Sequence, residues 1–148
     1  VPNIAIRTTL LTGFPNESEN DFIELLNFVK EYKLDRLGVF TYSQEEGTNA
    51  YELGDPIPEK EKQRRKEALM LAQQEISLTK NQSKIGQTLE VIVDEIDNGT
   101  IIGRTESDAP DIDNNVIIKS KQKIDVGDII KASITSATEY DLYGKISK

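Results

Sequence analysis

The chain has 148 residues, a net charge of −8, and neither cysteine nor histidine. Disulfides, thiolate nucleophiles, histidine general bases and cysteine-ligated zinc or iron–sulfur sites are therefore excluded from this segment. No apolar run approaches the roughly 20 residues that span a bilayer, and the start at Val1 lacks the pattern of a signal peptide, so we expect a cytoplasmic protein that does not enter the membrane.

The negative charge is spread evenly along the chain. Residues 1–82 carry 10 basic and 14 acidic side chains, and residues 83–148 carry 8 and 12. A protein of this charge does not attract nucleic-acid phosphates in general, whereas it does steer in a basic protein partner.

The first part of the chain alternates strand and helix. Ile4–Thr12 is an apolar run that predicts a buried parallel strand ending in a glycine turn. Ser18 and Asp21 have the spacing of a capping box, which predicts a helix start. The apolar face of this helix is predicted to consist of Phe22, Leu25, Leu26, Val29 and Tyr32. A second strand at Arg36–Tyr42 then implies a right-handed crossover.

A long loop and a second helix complete this part. Residues Ser43–Ile57 form a loop of the length that is usually functional. Pro58 suits the first position of a helix that runs to about Gln82. Its almost wholly charged first turns, Glu59–Glu67, predict a solvated outer face. Two parallel strands cannot form a covered sheet, so we expect further strands before Val1.

From Thr88 onward the apolar period is two, which predicts strands. Asp97-Asn98-Gly99 is typical of a tight hairpin turn. The remaining predicted strands are Thr100–Thr105, Val116–Ser120, Ile129–Ala137 and Tyr140–Ser147. Five short strands favour a small antiparallel β-barrel, because closure removes exposed edges. The fold class is thus α/β and then all-β, with domains at residues 1–82 and 83–148.

Two stretches of the first part resemble a known enzyme family. Residues Arg7–Asp21 read RTTLLTGFPNESEND, and Asp35–Ala50 read DRLGVFTYSQEEGTNA. Both are similar to segments of the radical-SAM methylthiotransferases, with Asn16 and Ser18 in place of the usual Gly and Thr. Asn tolerates the left-handed backbone that Gly allows, and Ser caps a helix as well as Thr does. From the first stretch alone, a strand–turn–helix that serves only folding stays an open alternative.

The strand region resembles a TRAM domain, the small OB-like β-barrel that follows the (β/α) barrel in this family. Ser107–Val116 reads SDAPDIDNNV, and Glu139–Gly144 reads EYDLYG. Both are similar to the branch that methylthiolates an aspartate of a small-subunit ribosomal protein. The resemblance thus implies the C-terminal part of such an enzyme, namely the end of the radical-SAM barrel and the TRAM barrel.

The resemblance also implies cofactors and site residues. The full-length protein would use S-adenosylmethionine and two 4Fe-4S clusters, none of them ligated by this segment, which has no catalytic or metal-ligating residue of its own. The implied wall of the cofactor pocket comprises Arg7, Thr9, Gly13, Phe14, Pro15 and Glu17. The implied substrate contacts in the loop are Tyr42, Ser43, Glu46 and Thr48. If Arg7 is buried on its strand, it needs a carboxylate partner from the cofactor or from the protein.

An acidic loop in the barrel indicates the kind of partner. Its carboxylates are Glu106, Asp108, Asp111 and Asp113. They would repel RNA and attract the basic ribosomal protein that the resemblance implies as substrate, so direct RNA binding by the barrel is not expected. Three alternatives stay open: an ordinary solvated turn, a tRNA-modifying relative, and a non-enzymatic β-barrel binding module. The oligomeric state is left open by the sequence.

Overall fold

The computed structural model describes residues 4–110 and 113–147. Its contacts divide into one unit of Ala5–Ile76 and a second that contains Ser77–Lys148. The predicted domain boundary at residue 83 stays a prediction. No helix in the described ranges is long and apolar enough to cross a bilayer.

The first unit is built on a parallel pair of strands. β1 (Arg7–Thr12) leads into α1 (Glu19–Tyr32), and β2 (Arg36–Thr41) leads through a loop with a 3₁₀ turn (Tyr51–Leu53) into α2 (Glu59–Gln82). The two strands pair in register along their whole length. The predicted strand–helix–strand order is confirmed.

Local sequence rules explain where α1 begins. Ser18 is the N-cap, its side chain accepts from the Asp21 backbone N–H, and the Asp21 carboxylate accepts from the Ser18 backbone N–H. This capping box satisfies two donors that the first turn would otherwise leave open. The predicted apolar face is correct for Phe22 and Val29 but wrong for Tyr32, which is 61% exposed at the end of the helix.

One face of the parallel pair is packed and the other is open. The packed face meets the core of this unit, made by Phe22, Val29, Val39, Leu69, Ala72 and Ile76. On the open face the register partners Leu11 and Phe40 are 48% and 62% exposed. The prediction of a fully buried strand is therefore wrong for the alternate residues of β1, and Arg7 and Thr9 are exposed. A parallel sheet is normally covered on both faces, whereas this pair exposes apolar side chains on one of them.

The second unit is a closed barrel of five strands. They are β3 (Thr88–Asp97), β4 (Thr100–Arg104), β5 (Val116–Lys119), β6 (Ile129–Ala137) and β7 (Leu142–Ile146). Their order around the barrel is β3-β4-β5-β7-β6. The predicted closed barrel is confirmed, but its β5–β7 pair is parallel instead of antiparallel. The reason is geometric: an odd number of strands in a closed ring cannot alternate in direction all the way round.

Turns and bulges close this barrel. Asn98 and Gly99 both have positive φ, 47° and 81°, as the predicted two-residue hairpin requires. Bulges follow Val93 in β3 and Ile134 in β6, and the register partner of each of these residues is a glycine, Gly103 or Gly144. Bulges bend a strand sharply, which brings its backbone close to the neighbouring strand.

The barrel core consists of the inward-pointing residues of all five strands. These are Val91, Val93, Ile101, Val116, Ile118, Ala132, Ile134 and Leu142. Asn81, at the end of α2, is fully buried against the same unit, and its Nδ2 donates to the Thr138 carbonyl at 2.9 Å.

Gly103→Ala is expected to destabilise the barrel by about 1–3 kcal/mol, the usual cost of overpacking. A Cβ at residue 103 would lie 2.3 Å from the Ile92 carbonyl oxygen, a backbone atom that cannot move aside cheaply. The matched control is Gly38→Ala, where the nearest atom, Thr9 Oγ1, is 3.8 Å away. Urea unfolding followed by circular dichroism measures both. Equal stability of the two variants would contradict the close approach of β3 and β4.

Candidate functional site: the strand-end loops and the barrel groove

The turn after β1 has a backbone that few residues tolerate. Gly13 and Asn16 have φ of 80° and 74°, and the Glu17 N–H donates to the Phe14 carbonyl at 2.9 Å. Asn16 thus has the positive φ that Asn tolerates better than most residues. A Cβ on Gly13 would lie 2.4 Å from Lys62 Cγ, so this position requires glycine for space as well as for φ.

The Glu17 carboxylate holds this turn together. One oxygen accepts from Thr12 Oγ1 and the other from the Gly13 backbone N–H, both at 3.0 Å. The same carboxylate forms an ion pair with Arg65 of α2, and its side chain is 12% exposed. Charge-assisted hydrogen bonds of this kind are about twice as strong as neutral ones. Glu17 is a predicted cofactor contact, but its carboxylate oxygens bind groups of the protein itself and so organise the turn.

Lys62 organises the end of β2 and the loop that follows it. Its Nζ donates to the Tyr42 carbonyl at 3.0 Å and pairs with Asp55 at 2.8 Å and Glu59 at 2.9 Å. The hydrogen bond that Lys62 donates to the Asp55 carboxylate raises the pKa of Lys62 above its ordinary value; burial opposes this, and the bond to Glu59 adds to it. One cation therefore ties the end of a strand, the following loop and the start of α2 together.

The prediction that the first turns of α2 form a solvated outer face is wrong at two positions. Lys62 and Arg65 are 3% and 5% exposed. With Leu69, Ala72 and Ile76 they form one stripe at spacings of three and four, the spacing of a helix face. That periodicity is visible in the sequence and would have identified both cations as inward-facing.

Neighbouring side chains stabilise the positive charges of Arg64 and Arg65. The guanidinium carbons of Arg64 and Arg65 lie 5.1 and 5.6 Å from the centre of the Phe22 ring, within the range of cation–π contacts. Hydrogen bonds from Arg64 and then Arg65 lower the pKa of Glu61 to about 2. Glu61 is therefore ionised throughout the neutral range.

The loop after β2 is organised largely by its own residues. Tyr42 is buried, and its hydroxyl donates to the Ala50 carbonyl at 3.1 Å. Ser43 Oγ and Thr48 Oγ1 bond to the side chain and the backbone carbonyl of Glu45, at 2.9 and 2.8 Å. Of the four predicted substrate contacts, Tyr42 is thus enclosed, while Ser43, Glu46 and Thr48 are exposed.

The structure joins the two loops but leaves Arg7 apart. The Phe14 ring packs edge-on against Tyr42 with centroids 5.2 Å apart, and the Tyr42 N–H donates to the Thr12 carbonyl at 2.9 Å. Pro15 is buried in the same turn. Arg7 lies five residues before Thr12, about 16 Å away at the rise of a strand. Arg7 is also exposed, so the expected buried arginine is not present there.

The donor set of this chain does not fit an iron–sulfur cluster. Iron–sulfur clusters are held by thiolates, and the sequence contains no cysteine. Among the described residues, no group of three or more acidic side chains is arranged to hold a metal ion. The Phe14 ring is 40% exposed and therefore presents an aromatic surface beside the Gly13 backbone.

In the barrel, the acidic loop has two kinds of carboxylate. Asp108 is 8% exposed and accepts from Thr105 Oγ1 at 2.6 Å, and Asp113 accepts from the Ala109 N–H at 2.7 Å. Both organise the loop, so the prediction that Asp108 is a surface charge is wrong. Glu106 is exposed, and Asp111 lies outside the described residues.

Beside this loop the barrel surface forms a groove of about 220 Å³. Its lining residues are Glu90, Ile92, Arg104, Thr105, Glu106, Asp108 and Ile129. The Arg104 Nε lies 3.3 Å from an Asp94 carboxylate oxygen. Sequence analysis identified the loop but missed the groove wall, because Ile92 and Ile129 look like ordinary strand residues.

Glu17→Gln is expected to lower the free energy of unfolding by about 1.5–3 kcal/mol, because it removes hydrogen bonds to a charged group and leaves Arg65 short of a counter-ion. Glu19→Gln is the matched control: Glu19 is 53% exposed, pairs with Arg64, and should cost no more than about 1 kcal/mol. Denaturant unfolding measures both. If Glu17→Gln is as stable as the control, the carboxylate does not organise the turn.

Comparisons with known proteins identify one domain family within the chain and relatives along its whole length. Residues 85–146 match the TRAM domain family. The chain is 48% identical to the "Ribosomal protein uS12 methylthiotransferase RimO" of Chloroherpeton thalassium, over 99% of this chain and 35% of that protein. Proteins of the same name from Cytophaga hutchinsonii and Flavobacterium psychrophilum are 47% and 49% identical, over 100% and 98% of this chain and 34% of each relative.

The chain thus spans about a third of the length of the curated relatives that it matches. The match runs through the strand-end loops, the long helix and the barrel alike, and the relatives carry one name. The resemblance seen in the sequence is confirmed: the chain belongs to the RimO methylthiotransferase family and corresponds to the C-terminal part of its members, ending in a TRAM domain.

Proposed function

We propose that the complete protein is a radical-SAM methylthiotransferase that adds a methylthio group to an aspartate of ribosomal protein uS12. The observation that carries this proposal is the identity of 47–49% to RimO proteins over at least 98% of the chain. This segment contributes part of the barrel wall and the TRAM barrel that docks the substrate. A cytoplasmic location, where ribosomal proteins are made, belongs to the same proposal.

The cofactors would supply the radical and the sulfur chemistry, and this chain would shape their surroundings. Clusters must be held by thiolates outside this segment, since it has none. The residues of the chain act by position: Glu17 and Lys62 fix the two loops, and Phe14 presents its ring beside Gly13. Fixing a site on rigid elements lowers the cost of ordering it when the ligand binds. The predicted cofactor contacts of Arg7 and Thr9 stay part of the proposal.

The loop after β2 would meet the substrate peptide. Ser43, Glu46 and Thr48 are exposed there. The buried Tyr42 anchors the loop through the hydrogen bond from its hydroxyl to the Ala50 carbonyl. Polar side chains on a loop held by a rigid sheet are the usual arrangement for binding.

A tRNA-modifying activity is the second candidate, because the TRAM barrels that this chain resembles are usually associated with RNA. The charge of the barrel opposes it: residues 83–148 carry 12 acidic and 8 basic side chains. Single-stranded and structured RNA binders use basic grooves and stacking aromatics. We therefore place uS12 first.

The reaction itself is the test. The full-length protein, with reconstituted clusters and S-adenosylmethionine, is expected to add a methylthio group to one aspartate of uS12, detected by mass spectrometry of the digested product. A structured tRNA serves as the competing substrate and should be left unmodified. Modification of the tRNA in place of uS12 would overturn the assignment.

The 148-residue chain provides a second arm of this experiment. After the same reconstitution it should bind no iron and cleave no S-adenosylmethionine, because it lacks soft ligands. An iron–sulfur absorption band with turnover in the chain alone would show that the chemistry resides here, contrary to the proposal.

A further inference from the structure

The floor of the barrel groove is an aliphatic strip on the outer surface. Ile92 of β3 pairs with Ile129 of β6 on one side and with Arg104 of β4 on the other. Val91 and Val93 point into the barrel core, so Ile92 points outward by the alternation of a strand. Ile129 is 69% exposed, which is a large fraction for an aliphatic side chain beside a second one. Water thus reaches a strip that an apolar ligand group could cover.

Two carboxylates border this strip. Glu90 lies two residues before Ile92 on the same face, and Glu106 extends from the loop after β4. Within the residues that the structure describes, neither side chain forms an ion pair or a hydrogen bond. The Arg104 guanidinium in the same groove is already accompanied by Asp94 at 3.3 Å. The net charge that the groove offers to a ligand is therefore negative.

The wall of the groove is fixed before any ligand arrives. Asp108 accepts from Thr105 Oγ1 at 2.6 Å, its N–H donates to the Thr105 carbonyl at 3.1 Å, and both residues are buried. Glu106 lies between these two anchored positions. A preorganised wall loses little conformational freedom on binding, which favours a specific site over a diffuse acidic surface.

We propose that this groove receives a single lysine or arginine side chain of the protein substrate, an inference that rests on the proposed function. The long aliphatic stem of either residue covers Ile92 and Ile129, while its charged head lies between the Glu90 and Glu106 carboxylates. Basic side chains commonly bury their stems in this way and keep their heads among polar groups. An RNA phosphate would meet the same two carboxylates and would be repelled.

Full-length enzyme with uS12 as substrate provides the test. Glu106→Gln and Glu90→Gln should each raise KM for uS12 about two- to five-fold at low salt, the range for an exposed ion pair, with kcat unchanged. Ile129→Ala should raise KM about three- to ten-fold at low and at high salt, because it removes apolar contact and no charge. Glu95→Gln, an exposed acid of β3 outside the groove, is the control for net charge and should leave KM unchanged.

The pattern of outcomes separates this proposal from the one on which it rests. If uS12 is methylthiolated and the three groove variants behave like Glu95→Gln, the groove proposal is overturned and the activity stands. If Ile129→Ala is normal while all acid variants, including Glu95→Gln, weaken binding equally, general charge attraction replaces the groove. If a structured RNA competes for the groove while uS12 is still methylthiolated, only the groove proposal falls; if uS12 is not a substrate, both proposals fall together.

Discussion

Pairing of the two buried cations of α2, Arg65 with Glu17 and Lys62 with Asp55, is the constraint on which the loops of the first unit depend. Through Glu17 it fixes the turn after β1, and one turn earlier in α2 Lys62 fixes the loop after β2. Removing one partner of a buried pair leaves a charge without compensation, a far larger loss than that of a surface pair. The buried charges of this unit thus hold its two loops in place.

The barrel uses its charge in the opposite way. Its shape comes from apolar alternation, two bulges and the glycines paired with them. Glu90 and Glu106 are consequently available to a partner on the outer surface. Asp108, by contrast, holds the loop, so only part of an acidic cluster counts towards attraction of a basic ligand. The number of acidic residues in the sequence therefore overstates the negative charge that the folded surface presents to a ligand.

Local rules made much of the fold predictable from sequence. The Ser18 capping box and the Asn98-Gly99 turn depend on neighbours in the chain, and both are present as predicted. The parallel β5–β7 pair depends on ring closure, and the enclosed Tyr42 depends on a loop that folds back over it, so neither follows from local pattern. Two errors were avoidable: the helical spacing of Lys62 and Arg65 with Leu69, and the Thr105–Asp108 spacing, were both in the sequence.

We propose that this chain recognises a basic protein through the barrel groove while internal ion pairs hold its strand-end loops. Amide hydrogen exchange of the full-length enzyme with and without uS12 tests it most directly. The account predicts slower exchange on addition of uS12 at residues 104–108 and 129–131, with no such change on addition of a structured RNA. Protection of the barrel by the RNA, or an unchanged barrel in the presence of saturating uS12, would contradict it.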